Sequence, residues 1–179
     1  AAVTAKRKED TSKPGAPPGC SAQELDKRLG GIRWRLDYAS FGTLRNQSTE
    51  IPHLVEAIRL TTQWLVWGER HDASFIELFR KHTLFEGFAC TLRTQVCPRS
   101  LKLQVLQSLS ILMTQMQNRE SVNYLLSILN PIFEIPPDLE DEEMQAYFVT
   151  LLRGLAIRLD SENVQYCLVT ESGTGVAGL

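Results

Sequence analysis

Apolar residues recur at three- and four-residue steps along most of this chain, and polar or helix-breaking residues separate the runs. Ser21 with Glu24 three residues later forms a capping box, and Leu25, Leu29, Ile32 and Leu36 follow it on one helical face. Gly30-Gly31 weakens that helix by roughly 1 kcal/mol per glycine relative to alanine. After a polar stretch at 42–49, Pro52 suits a first helical turn. Leu54, Ile58 and Leu65, with Val55, Thr62 and Val66, then form an apolar face that Gly68 is expected to end.

Asp72 and Ser74 can cap a short helix carrying Phe75, Ile76, Leu78 and Phe79, and Leu84, Phe85, Phe88 and Leu92 mark the next. Pro98 opens another, with Leu101, Val105, Leu109, Leu112 and Met116 spaced 4, 4, 3 and 4. Asn118 and Ser121 precede Val122, Leu125 and Leu126, and Pro131, Pro136 and Pro137 break the chain after them. Asp141-Glu142-Glu143 places acid at a helix start, where it meets the positive end of the macrodipole. Met144, Phe148, Leu151, Leu152, Leu155 and Leu159 then run as one apolar face. Period-2 alternation is nearly absent, so the fold class is all-α, with about seven to eight helices.

A unit recurs. Long helices near Leu54, Leu101 and Met144 are each followed by a short one, carried by Phe75–Phe79, Val122–Leu126 and Val164–Leu168. Phe75, Val122 and Val164 lie 47 and 42 residues apart, close to armadillo/HEAT repeat lengths. The expectation is an armadillo/HEAT-like α-solenoid, since one helix pair cannot bury its apolar face alone. Residues 1–20, rich in charge and proline, read as a disordered tail; 21–171 as the helical domain; 172–179 as a flexible tail.

Composition narrows the function. The 179 residues are 43% hydrophobic and 22% charged, with net charge −2, which argues against a dedicated nucleic-acid binder or a polybasic membrane anchor. No apolar run reaches the roughly 18–20 residues a membrane span needs. Four scattered cysteines (Cys20, Cys90, Cys97 and Cys167) do not form a disulfide framework and point to a reducing compartment. The first residues carry charge where a signal peptide needs an apolar stretch.

Candidate chemistry is thin, and no catalytic, cofactor-binding or metal residue is assigned. His53, His71 and His82 have no metal-ligand spacing, and His71-Asp72 reads as a helix start. Cys90 and Cys97 lack a second pair for zinc and read as buried helix cysteines. Glu140-Asp141-Glu142-Glu143 reads as a solvated helix N-terminus, and the sequon Asn46-Gln47-Ser48 needs a secretory route that nothing supports. Gly173-Thr174-Gly175-Val176-Ala177-Gly178 satisfies G-x-G-x-x-G, but the helix and ribose-binding acid of a dinucleotide site would have to follow Leu179. Trp64, Trp67, Tyr124 and Tyr147 read first as core aromatics and second as contacts in a partner-binding groove.

Four stretches carry a family resemblance: Val55-Glu56-x-Ile58-Arg59 into Trp67-Gly68-Glu69-x-x-Asp72-x-Ser74; Leu103-x-Val105-Leu106-Gln107-x-Leu109-x-Ile111-Leu112; Glu120-Ser121-x-x-Tyr124-Leu125-Leu126-Ser127; and Asp141-Glu142-Glu143-x-x-Ala146-Tyr147-Phe148. In this order and spacing, residues from about 51 to 171 resemble the FPL-domain family. The resemblance implies an armadillo-like repeat and a non-enzymatic scaffold. Its implied setting is cytoplasmic and peripheral, on endosome, lysosome or Golgi membranes, in vesicle trafficking, autophagy and mitophagy. Implied partners are proteins of that machinery, including a ubiquitin ligase, with no nucleic acid and no cofactor. An enzyme, a ligase component or a purely structural helical domain are the alternatives. The Phe-Pro-Leu that names the family does not follow Glu171, and family proteins are longer, so the chain is expected to be a piece of a longer protein.

Overall fold

Polar caps set where the helices begin. The computed structural model describes residues 15–40, 49–134 and 138–168. These contain α1 (Ala22–Ser40), α2 (Glu50–His71), α3 (Ser74–Lys81), α4 (Leu84–Arg93), α5 (Arg99–Gln115), α6 (Arg119–Glu134), α7 (Glu142–Arg158) and a four-residue turn of helix, α8 (Gln165–Leu168). No strand occurs among the described residues, in keeping with the all-α expectation. Ser21 Oγ accepts the Glu24 N–H at 3.2 Å, and Asp72 accepts the Ser74 N–H at 3.0 Å. Asn118 accepts from Glu120 N–H at 2.8 Å, and Asp141 accepts from Glu143 and Met144 at 3.1 and 3.2 Å. Each such bond satisfies one of the donors a helix start leaves open.

Two helices outrun their expected ends. Gly68 does not stop α2, which continues to His71. Gly68 is instead a close-approach position: a Cβ there would stand 2.2 Å from the Phe75 ring, so the missing side chain lets α3 fold back onto α2. Pro131 does not break α6, which runs on to Glu134. Proline removes one backbone donor, and the extra turn buries Ile132 and packs Phe133 against the core, which offsets the loss. Pro136 and Pro137, the polar stretch 42–48, residues 1–14 and the segment 169–179 lie outside the described residues.

α2, α5 and α7 lie side by side in one direction. α5 packs against both α2 and α7, and α4, α6 and α8 follow one another in the same order. Thr62 Oγ1 on α2 donates to Ser108 Oγ on α5 at 2.9 Å; nearer the C-terminal ends, Arg70 donates to the Gln115 carbonyl at 3.1 Å. Between α5 and α7, Ser110 Oγ donates to the Tyr147 carbonyl at 2.9 Å and Arg158 to the Thr114 carbonyl at 2.9 Å. Residues within one helix meet residues within the next and ends meet ends, so α2, α5 and α7 are parallel. α1 packs across α2, α3 and α4. Thr91 Oγ1 donates to the Gly87 carbonyl in its own helix, and the single hydroxyl protons of Thr62 and Ser110 are shared with the carbonyls of Ile58 and Leu106.

One continuous core results, running from Leu25 and Leu36 on α1 through Trp64, Phe79 and Phe88 to Leu109, Leu126 and Leu151. The expected stripe on α7 is corrected at one position. Met144, Phe148 and Leu151 are buried and Leu155 packs beside them, but Leu152 is exposed. It lies one step, about 100°, round the helix from Leu151. Val149 and Ile157 are exposed as well, Ile157 to 82%.

Arginine clamps tie the start of α5 to that of α7, and the start of α6 to the segment before α8. Arg99, at the start of α5, donates to Asp141 at 2.8 Å and to Glu143 at 3.1 Å, before and within the first turn of α7. Arg119, at the start of α6, donates to Asp160 at 3.1 Å and Glu162 at 2.6 Å, just ahead of α8. Arg99's hydrogen bond, with the two cap N–H groups, brings the Asp141 carboxyl down to about 2 from an ordinary 3.8. Because the folded state holds this acid below its unfolded value, its contribution to stability is full above about pH 3.8. It is lost as pH falls from there through about 2. Asp141→Asn is therefore expected to flatten the acid limb of a melting-temperature profile taken from pH 5 to pH 2; an unchanged limb would remove this assignment.

Candidate functional site

Two clefts open on the side of the fold that carries α3. The larger, about 570 Å³, lies between the start of α1 and α3, lined by Ala22, Gln23, Asp26, Ser74, Leu78 and Lys81 among others. Its polar groups answer one another. Asp26 takes His82 Nε2 at 2.8 Å and Lys81 Nζ at 3.0 Å, and the His82 bond first, then Lys81, holds its carboxyl below the usual range.

The smaller cleft, about 320 Å³, is built from three elements: Arg80 from α3; Glu120, Asn123, Tyr124 and Ser127 from α6; Tyr166 from α8. The Arg80 guanidinium sits 4.9 Å above the Tyr124 ring. It also donates to Glu77 at 3.2 Å and to the Glu120 carbonyl at 3.4 Å. Beneath, the Phe85 ring meets Tyr124 edge-on at 5.7 Å, so the aromatic floor of the cleft is continuous with the core. Burial pushes the Tyr124 phenol up to about 12, which keeps it neutral at physiological pH. Two covered polar atoms here have no partner: Arg80 Nε and Asn123 Oδ1. Covered polar groups are ordinarily bonded, so this cleft holds covered hydrogen-bonding capacity that the fold leaves unmet.

The four aromatics singled out in the sequence do not share a groove. Trp64 is buried, with Arg28 4.4 Å over its ring, and offers no contact surface. Trp67 is half-buried, stacked on His71 at 4.5 Å and edge-on to Phe75 at 6.0 Å. Tyr147 is half-buried on α7. Tyr124 lines the smaller cleft. Sequence reasoning missed Arg80, Asn123 and Tyr166, although Tyr166 stands 42 residues after Tyr124, the offset already read between Val122 and Val164.

The other candidates disperse. His53 is exposed on α2, His71 bonds the Trp67 carbonyl at 2.7 Å, and His82 serves Asp26. The cysteine reading is corrected: Cys90 is exposed on α4, and Cys97 is buried in the connection before α5, outside any helix. Burial raises the thiols of Cys20 and Cys97 to about 11, which leaves them protonated and poor nucleophiles. Within the acidic run, Asp141 and Glu143 are gathered by Arg99 instead of being left to solvent. Asn46 and the Gly173–Gly178 segment lie outside the described residues. Among the described residues no group of three or more His, Cys, Asp or Glu could hold a metal ion, and no helix is long and apolar enough to cross a membrane.

Comparison with known proteins places most of these elements in one family. A family model described as "FPL: Uncharacterised conserved protein" matches residues 58–174. Protein CLEC16A of Homo sapiens is 36% identical over 115 residues, covering 63% of this chain and 11% of that protein. The Mus musculus protein of the same name gives the same figures. Protein TRANSPARENT TESTA 9 of Arabidopsis thaliana is 26% identical over 126 residues, 69% of this chain and 15% of that protein. The chain thus spans a small fraction of the length of the curated relatives it matches, 11–15% in these three. No solved structure matches. The matched stretch takes in most of α2, all of α3 to α8 and every residue of the smaller cleft, and on that match the chain belongs to the FPL family.

Proposed function

We propose that this chain is a non-enzymatic protein-interaction scaffold, built as an armadillo/HEAT-like α-solenoid and working in endosome–lysosome or Golgi/vacuole membrane traffic and in autophagy. One observation carries the architectural half. Hydrogen bonds that tie α2 to α5 and the segment just after it join residues 45 to 49 apart, and the Arg99 and Arg119 clamps join residues 41 to 44 apart. Contacts repeating at one sequence interval are what stacked repeats produce. The helical domain would then run over 21–171, with 1–20 and 172–179 as tails. Membership of the FPL family supports the trafficking half, with the chain held in the cytoplasm and on membranes through its partners.

The test is proximity labelling in cells, with the chain fused to a labelling enzyme beside the unfused enzyme. Enrichment of endosomal, lysosomal or Golgi tethering proteins is the expected result. A labelling profile equal to that of the unfused enzyme would overturn the proposal for this chain.

A further inference from the structure

We propose that the cleft between α3, α6 and α8 binds an extended, neutral-to-basic polypeptide segment through its backbone, with Asn123 pairing a peptide group and Tyr124 and Tyr166 flanking it. The inference rests on the reading of the chain as an interaction module and adds a site and a ligand class to it.

The first ground is hydrogen-bonding capacity. Asn123 lies within α6, half-buried, and its Oδ1 is covered with no partner. A covered amide oxygen left unbonded destabilises the free fold. An asparagine amide presents an acceptor and donors in one plane, which matches the N–H and C=O of a peptide group. Rotation about the last side-chain bond turns either edge of that amide toward the cleft. Arg80 Nε adds a second covered donor without a partner.

The second ground is periodicity. Asn123-Tyr124 on α6 is answered by Gln165-Tyr166 on α8, 42 residues on, and both tyrosines line the cleft. Packed helices sit about 8–10 Å apart, and an extended chain advances about 3.3 Å per residue. A segment crossing from α6 to α8 therefore meets the two tyrosines about three residues apart.

Charge selects the segment. The Arg80 guanidinium is occupied by Glu77 and by the Tyr124 ring, whereas Glu120 lines the cleft and its side chain makes no ion pair among the described residues. Glu86 also acts on Tyr124, raising its phenol further. The Glu120 carboxylate, with the Arg80 charge already met, disfavours phosphorylated or acidic segments and favours one carrying Lys or Arg.

The test pans a random linear-peptide phage library on the purified full chain and measures recovered peptides by fluorescence anisotropy. Peptides carrying Lys or Arg are expected, and their affinity should fall about tenfold or more with Asn123→Leu and with Tyr166→Ala, the scale of a lost buried hydrogen bond or aromatic contact. Asn123→Leu should also melt at or above the wild-type temperature, because it removes the unbonded oxygen. No enrichment over a chain-free control, acidic binders, or binders indifferent to both substitutions would overturn the proposal. If Asn123→Leu fails to fold, a structural role replaces the binding one unless Tyr166→Ala alone abolishes binding. Proximity labelling with the Tyr166→Ala chain separates this failure from that of the scaffold reading. A trafficking profile unchanged from wild type leaves the scaffold standing and removes the cleft, whereas a wild-type profile equal to the control removes the scaffold.

Discussion

Gly68→Ala should lower the melting temperature by about 10 °C, a loss of about 3 kcal/mol at this chain length. The added methyl would stand 2.2 and 2.3 Å from Cδ1 and Cγ of Phe75, and 2.8 Å from its Cβ. A ring can turn away from an intruder, but a Cβ is fixed to the backbone, so α3 itself must slide off α2. That slide would carry Phe79 and Arg80 with it. Circular dichroism melts of the single variant, of Phe75→Ala and of the pair supply the check. Because the two closest contacts, at 2.2 and 2.3 Å, go with the ring, the two losses should add up to more than the double variant shows. A Gly68→Ala protein melting with wild type would mean that α2 and α3 do not approach as described.

Phe85→Ala should cost about 3–5 kcal/mol, the range for removing a buried aromatic ring. Phe85 is buried, with its ring edge-on to Phe79 at 4.4 Å, to Phe88 at 6.0 Å and to Tyr124 at 5.7 Å. It therefore joins α3, α4 and α6 at one point, and no neighbour can fill its place without abandoning another contact. Urea unfolding should show a lower midpoint with an unchanged slope, the sign of lost stability in an unaltered two-state transition. A loss of less than about 1 kcal/mol would show that the site collapses readily. The floor under Tyr124 goes with the ring, so the smaller cleft should lose its shape in the same variant.

Periodicity exposed the helices because burial on one face is written into spacing. Leu101, Val105, Leu109 and Leu112 are all buried on α5, as their three- and four-residue steps require. Glycine and proline misled for a shared reason. Each has a local meaning as a breaker, and tertiary packing overrode it: Phe75 needs the space at Gly68, and Ile132 needs the extra turn of α6 beyond Pro131. The cleft was only half legible. Tyr124 stood out as an aromatic on a helix read as repeating, but Arg80 lies on α3, far from it in sequence, and nothing local marks it. Asn123 looked like any polar helix residue, since a missing partner is visible only once its neighbours are placed. The Arg99–Asp141 clamp was likewise hidden, although the repeat interval brings these two positions close to register.

The parallel arrangement of α2, α5 and α7 bears on how the chain assembles during translation. Each later helix of that row, α5 and then α7, finds its partner about 45 residues earlier in the chain, as Thr62 and Ser108 illustrate with a separation of 46. At about 5–20 residues per second, the ribosome delivers each new long helix roughly 2–9 s after the one it must lie against. The earlier helix is always the one waiting. Assembly can therefore proceed as ordered accretion from the N-terminal side, each later helix of the row docking on one already made.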